Sequence, residues 1–244
     1  MQLGRHLGSP LQVARGLVAL MGTRLSVYYE NRIPQESAVV VVSNHRSFMD
    51  PALLMVGLQK SLRTACHHYM NEVPVMREFV RVLGCFPLAA PGDRRSDFLR
   101  RASGLLHSRQ WVAVFPEGAR SMVATPPPTQ MRPFQRGFAH LLLRAPVPNL
   151  AVLPVAIAAR EETVRPIVPL RALRVFDNTE PLFDRPEWHP IATYQRANLL
   201  VGRPVWIAPH HYRRYHGRSA HRVVSDLSDY CREEIGKLLV LGCR

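Results

Sequence analysis

The sequence predicts a single α/β domain, with a central mixed β-sheet flanked by helices. Three features carry this expectation. Two apolar runs, Val39–Val42 and Trp111–Phe115, each stop at a polar turn, as interior strands of an α/β sheet do. A long C-terminal stretch repeats apolar residues at helical spacing. Across 244 residues no repeat or composition break marks a second domain, and a hydrophobic share of 47% supplies a full core. The domain proper is placed at residues 37–244, with residues 1–36 as an N-terminal amphipathic helix and lead-in.

Taken in order, residues 10–29 carry Leu11, Ala14, Val18, Met21 and Leu25 at helical spacing among Arg5, Arg15 and Arg24. The arginines interrupt any bilayer span. Such a helix either lies in the interface of an anionic membrane or packs on the domain. After Val39–Val42, Asp50 and Pro51 form a helix start, with Asp50 as N-cap and Pro51 in the first turn. Arg63–Met70 reads as a short strand, and Val75–Leu83 as a helix closed by Gly84. Pro91–Arg95 is a turn, and Ser96 caps a helix through His107 that buries Phe98, Leu99, Ala102, Leu105 and Leu106.

The segment Met122–Pro133, with three consecutive prolines, must be an extended loop serving as wall or lid. A helix over Gln135–Arg144 precedes the strand LAVLPVAIA, where Pro154 calls for an edge or a bulge. Residues 177–198 lose any clear period and read as an irregular insertion. Val205–Ile207 is a late strand. Ser219 then caps the final helix, whose inner face carries Val223, Val224, Leu227, Tyr230, Cys231, Ile235, Leu238 and Leu239.

The formal net charge is +14, almost all from arginine, with Lys60 and Lys237 the only lysines. That excess favours an anionic partner: nucleic acid, an anionic membrane or a phosphorylated substrate. A nucleic-acid module would interleave aromatics with the basic run His210–Arg218, where only Tyr212 and Tyr215 answer, so nucleic acid is not the expected partner. The same run reads as a solvated loop, since its histidines lack HExxH spacing and a paired acid; no metal site is expected. Cys66, Cys85, Cys231 and Cys243 show no metal spacing and are taken as free thiols.

Chemistry gathers at two strand ends. His45 lies in the turn after the first strand, where open α/β sheets bind ligands, and Asp50 follows five residues later. Those two alone also fit a plain turn and cap. The second strand ends in FPEGARS, Phe115–Ser121, bringing Glu117, a permissive Gly118 and the forked guanidinium of Arg120.

Together these residues resemble the bacterial 1-acyl-sn-glycerol-3-phosphate acyltransferase family of glycerolipid acyltransferases, which carries NHxxxxD, then FPEGTRS about seventy residues on, then a Pro-containing strand. Asn44–Asp50, Phe115–Ser121 and the strand around Pro154 match these in turn, and Arg132–Gly137 is similar to the family's K-P-F-K-x-G. The resemblance implies a glycerolipid-acyltransferase-like fold. It also implies transfer of an acyl group from acyl-CoA or acyl carrier protein to the free hydroxyl of a lysophospholipid, first of all lysophosphatidate. His45 and Asp50 would be catalytic, Glu117, Gly118 and Arg120 would bind substrate, and neither cofactor nor metal would take part. With no secretory signal, the expected place is peripheral, on the cytoplasmic face of an anionic membrane. No G-x-S-x-G elbow appears, against a serine hydrolase of the α/β-hydrolase plan.

Three departures bear on the acceptor. Met70 stands where the family has a lysine, Phe86–Ala90 replaces an I-D-R-type triplet, and Ala119 replaces threonine. Either the acceptor lacks a phosphomonoester, or another arginine has moved in; Arg94 and Arg95 are the nearest candidates.

Overall fold

The computed structural model describes residues 8–72, 74–89, 92–118, 121, 123, 126–176 and 181–243. Arg120, Ala119, Ala90, Pro91 and the first seven residues lie outside this set, as do Met122 and residues 124–125 of the segment expected to be an extended loop, and residues 177–180.

The organising strand is β2 (Ala38–Ser43), every residue of it buried. Val39 and Val41 face one core, and Ala38, Val40 and Val42 the other. That two-sided burial is why the run is apolar without alternation. β2 pairs in parallel with β5 (Trp111–Val114) and with the long β6 (Leu150–Pro169). The other strands are β1 (Arg24–Tyr28), β3 (Leu62–Cys66), β4 (Phe86–Pro87), β7 (Trp188–Val201) and β8 (Val205–Trp206). Their order is β1-β7-β6-β2-β5-β3-β4, with β8 beside β6. β6 meets β7 and β8 antiparallel, so the sheet is mixed.

Helices α1 (Pro10–Leu20) and α2 (Asp50–Leu58) cover one face of the sheet. Helices α4 (Arg94–His107), α5 (Gly137–Arg144) and α7 (Gly217–Gly242) cover the other. Two further helices are α3 (Pro74–Val82) and α6 (Pro209–Arg214). No helix among the described residues is long and apolar enough to cross a bilayer.

Several sequence expectations are corrected. The apolar stripe over 10–29 is not one helix: α1 stops at Leu20, Gly22 takes φ +65°, and Leu25 lies on β1 beside Ala197 of β7. Ala14 and Val18 are spent on the domain core. Ser96 and Ser219 sit inside their helices, not at the caps. Their hydroxyls donate to carbonyls, Ser96 to Asp93 and Ser219 to Arg214 and His216, and Asp93 and His216 hold the cap positions. The basic run after His210 is helical, in α6 and the start of α7.

Pro154 lies at neither an edge nor a bulge, because β6 is an interior strand. β8 pairs with Ala151 and Val152, β7 begins pairing at Val155, and Pro154 falls in the gap between them. Its missing N–H therefore removes no ladder bond, while its carbonyl accepts from Gly202 at 2.8 Å. The irregular insertion expected over 177–198 is, from Trp188 on, the fourteen-residue strand β7.

β6 and β7 run on together past the carboxyl end of β2 as an antiparallel arm. At the arm's end Leu170, Leu173 and Phe183 form a small core of their own, packed by Met70, Met76 and Val123. Met70 and Met76 belong to the segment after β3, so the arm reaches across the carboxyl edge, over the ends of β2 and β5.

Candidate active site

His45 and Asp50 come together in the turn between β2 and α2. Asp50 is fully buried, and its Oδ2 lies 2.9 Å from His45 Nδ1. The same oxygen accepts the backbone N–H of Arg46 at 2.7 Å and of Ser47 at 2.8 Å. The carboxylate therefore does not cap α2 as the sequence implied; Met49 holds the N-cap, and Asp50 turns back to gather residues 45–47 around one oxygen. Its Oδ1 accepts the hydroxyl of Tyr194 at 2.8 Å. Burial, then the adjacent Asp50 charge, hold the Tyr194 phenol well above the usual tyrosine range, so it stays a donor.

The imidazole of His45 stacks on Phe115, ring centroids 4.1 Å apart, and its side chain remains 14% exposed. Stacking and the Asp50 bond fix the ring's plane and one of its edges. The flanking residues fix the backbone. The Asn44 carboxamide bonds both the N–H and the C=O of Ile157 at 2.9 Å, continuing the β2–β6 ladder with a side chain after Ser43. Ser47 Oγ donates to the Ala192 carbonyl and accepts from Met49 N–H.

Glu117, at the end of β5, bonds through both oxygens. Oε1 accepts the His45 N–H at 3.0 Å and Oε2 the Arg132 N–H at 2.7 Å, tying the turn after β2 to the loop before α5. Burial raises the Glu117 pKa, opposed by those two N–H groups. Gly118 takes φ +71°, a backbone conformation that L side chains rarely adopt; a Cβ there would meet only the flexible end of Gln135, Nε2 at 2.9 Å, so it is the backbone that calls for glycine. Arg120, expected beside them, lies outside the described residues.

Arg46 and Glu162 form an ion pair that sequence reasoning missed. Arg46 Nε and Nη2 reach the two Glu162 oxygens at 2.7 and 2.5 Å, and Nη1 donates to the Pro126 carbonyl. Burial works against the guanidinium's charge, but the Glu162 bond and charge outweigh it and its pKa stands above the ordinary value. Glu162 faces Tyr194 across the β6–β7 ladder, so one cross-strand pair holds both Arg46 and Asp50. Tyr194 was missed because its strand was; the signal for Glu162 was an acidic pair in an arginine-rich chain.

Arg94 and Arg95 diverge. Arg94 Nη2 lies 3.3 Å from His68 Nδ1, in the turn after β3, while Arg95 is near His140 of α5, whose pKa burial and then Arg95 lower. Met70, standing for the family's lysine, packs under the arm. An open cleft of about 430 Å³ lies here, lined in part by His68, Asn71, Leu88 and Arg101. Among the described residues no cluster of His, Cys, Asp or Glu could hold a metal.

Comparisons to known proteins bear on the family and the fold. The Acyltransferase family model matches residues 24–158, more than half of the chain and the whole span from β1 through the turn, Glu117 and Pro154. The 1-acyl-sn-glycerol-3-phosphate acyltransferase alpha proteins of Mus musculus and Homo sapiens are each 29% identical over 155 residues, 59% of this chain and 48% of theirs. The chain thus spans about half the length of these curated relatives. The 1-acyl-sn-glycerol-3-phosphate acyltransferase of Borreliella burgdorferi is 21% identical over 74% of this chain and 68% of its own. The crystal structure of the 1-acyl-sn-glycerophosphate acyltransferase PlsC from Thermotoga maritima covers 94% of this chain, with 76% of its own length matched. Its TM-score is 0.59 at 19% identity, which shows a shared fold. A sheet of this order, with a His and an Asp joined at the end of its central strand and a family match running through both, leaves one assignment: the chain belongs to the Acyltransferase family.

Proposed function

We propose that the chain transfers a fatty acyl group from the thioester of acyl-CoA or acyl carrier protein to the free hydroxyl of lysophosphatidate, giving phosphatidate. The observation that carries this reading is the 2.9 Å contact between His45 Nδ1 and the buried Asp50 carboxylate. A proton held on Nδ1 by Asp50 leaves Nε2 as the basic nitrogen. Nε2 takes the proton of the acceptor hydroxyl as its oxygen attacks the thioester carbonyl. Collapse of the tetrahedral adduct breaks the C–S bond, and the imidazolium returns the proton to the leaving sulfur. Atoms and charge balance with no group beyond the two substrates.

Glu117, Gly118 and Arg120 are proposed to bind the acceptor's glycerol and phosphate, Glu117 through the loops it joins. The relatives named for 1-acyl-sn-glycerol-3-phosphate support that acceptor, and the +14 charge suits every anionic substrate in the scheme. The protein is proposed to work peripherally, on the cytoplasmic face of an anionic membrane. Its exposed Leu20 and Met21, close to Arg24, are one point of contact.

The test is His45→Ala, assayed with labelled acyl thioester and lysophosphatidate. Turnover should fall by roughly 10²–10⁴-fold, the range for a positioned general base, with the fold retained. A folded variant with near-normal turnover would end the scheme.

A further inference from the structure

The Asp50 carboxylate has no solvent to complete its hydrogen bonding. A buried carboxylate is tolerated only when its lone pairs are met, and the way they are met decides where its charge sits. Here the two oxygens are treated unequally. Oδ2 gathers the His45 ring and two backbone N–H groups, while Oδ1 is served by the Tyr194 hydroxyl. Rotation about the Asp50 Cβ–Cγ bond out of this plane would take either oxygen out of line with the imidazole.

Tyr194 is well placed to prevent that. It comes from a strand 144 residues further along the chain and is 1% exposed. Its backbone is held by the β6–β7 ladder opposite Glu162, and its carbonyl accepts the Thr23 hydroxyl at 2.7 Å. Among the described residues, the other charged groups facing the pair are Arg46 from the turn, Glu162 from β6 and Glu117 from the end of β5. Arg46 and Glu162 are spent on each other, and Glu117 on backbone donors.

We propose that Tyr194 is a positioning residue: its hydroxyl locks the Asp50 carboxylate with Oδ2 toward His45 and draws off part of its charge. It acts through Asp50 and touches no substrate. The inference rests on the reading of His45 as the general base. Its sign follows from electrostatics. With the hydroxyl gone, more charge stays on the Asp50 oxygens, the imidazolium is held more tightly, and the base needs a higher pH to be free.

Tyr194→Phe keeps the ring and removes the donor. In the full chain, kcat at neutral pH should fall roughly tenfold with KM for both substrates within about twofold, the pattern of a group that shapes the base, not substrate binding. The acid limb of kcat/KM should move up by about half to one pH unit. The His45 imidazole titration, followed by NMR without substrate, should move the same way. Site-specific 3-fluorotyrosine at 194 retains the hydroxyl and makes it a stronger donor, so it should move both readouts down; it also serves if Tyr194→Phe fails to fold. An unmoved limb and titration in a variant that melts like the parent would overturn the proposal, as would shifts of one sign in both variants. Near-normal turnover in His45→Ala would instead remove the base assignment, leaving the NMR titration to judge the Tyr194–Asp50–His45 link alone.

Discussion

The Arg46–Glu162 pair allows a quantitative test of what holds the turn between β2 and α2. Its side chains are 10% and 13% exposed, so both charges have lost most of their water. Glu162→Ala would leave the guanidinium nearly buried with the Pro126 carbonyl as its remaining acceptor in the set described. Stranding a buried partner costs about 3–5 kcal/mol. The residual exposure and the surviving carbonyl bond put this case at the low end, about 3 kcal/mol. In a domain of this size each kcal/mol lowers Tm by about 2–4 °C, so calorimetry should record a fall of about 6–12 °C. The deficit should persist at high salt, because a pair this enclosed is little screened. Arg46→Ala/Glu162→Ala removes the stranded charge and should be less destabilised than the sum of the single variants by at least about 1 kcal/mol. A Tm fall of under about 2 °C for Glu162→Ala, or strict additivity in the double variant, would refute the idea that this pair anchors the turn.

Two further outcomes separate residues that the sequence groups together. Arg94→Ala should raise KM for lysophosphatidate far more than KM for an uncharged monoacylglycerol, while Arg95→Ala should change neither, since Arg94 faces the turn after β3 and Arg95 faces α5; equal effects of the two variants would dismiss Arg94 as a phosphate ligand. Leu20→Ser/Met21→Ser should weaken sedimentation with anionic vesicles while leaving Tm unchanged, because these side chains are exposed at the end of α1; binding that matches the parent protein would put the membrane contact elsewhere on the surface.

The strands that lead into the candidate site were legible because their sequences are unambiguous. Val39–Val42 and Trp111–Phe115 are continuous apolar runs cut off by polar residues, and that is how doubly covered strands are written. The His45–Asp50 spacing and the Glu117–Gly118 turn were legible for the same reason: local motifs report local geometry. β7 was not, because its burial is uneven. Trp188 is exposed, Ala192 and Tyr194 are inward, and Gln195 and Arg196 are outward again, so no clean period of two survives. With β7 went Tyr194. The helix starts slipped for a chemical reason, since a serine hydroxyl serves as well inside a first turn, donating to a carbonyl, as at a cap, accepting from an N–H.

The reach of the contacts around His45 has a consequence for synthesis. Residues 44–50 leave the ribosome well before what secures them: Ile157 is 113 residues downstream of Asn44, Glu162 is 116 beyond Arg46, Tyr194 144 beyond Asp50, and Ala192 145 beyond Ser47. Closing loops of that length is slow and cannot precede emergence of the distal strand. A nascent chain therefore holds His45 and Asp50 without the frame that aligns them until β7 has been made. The turn takes its final geometry only once β7 has emerged, and a chain that stops short of residue 194 carries the full motif without the contacts that align it.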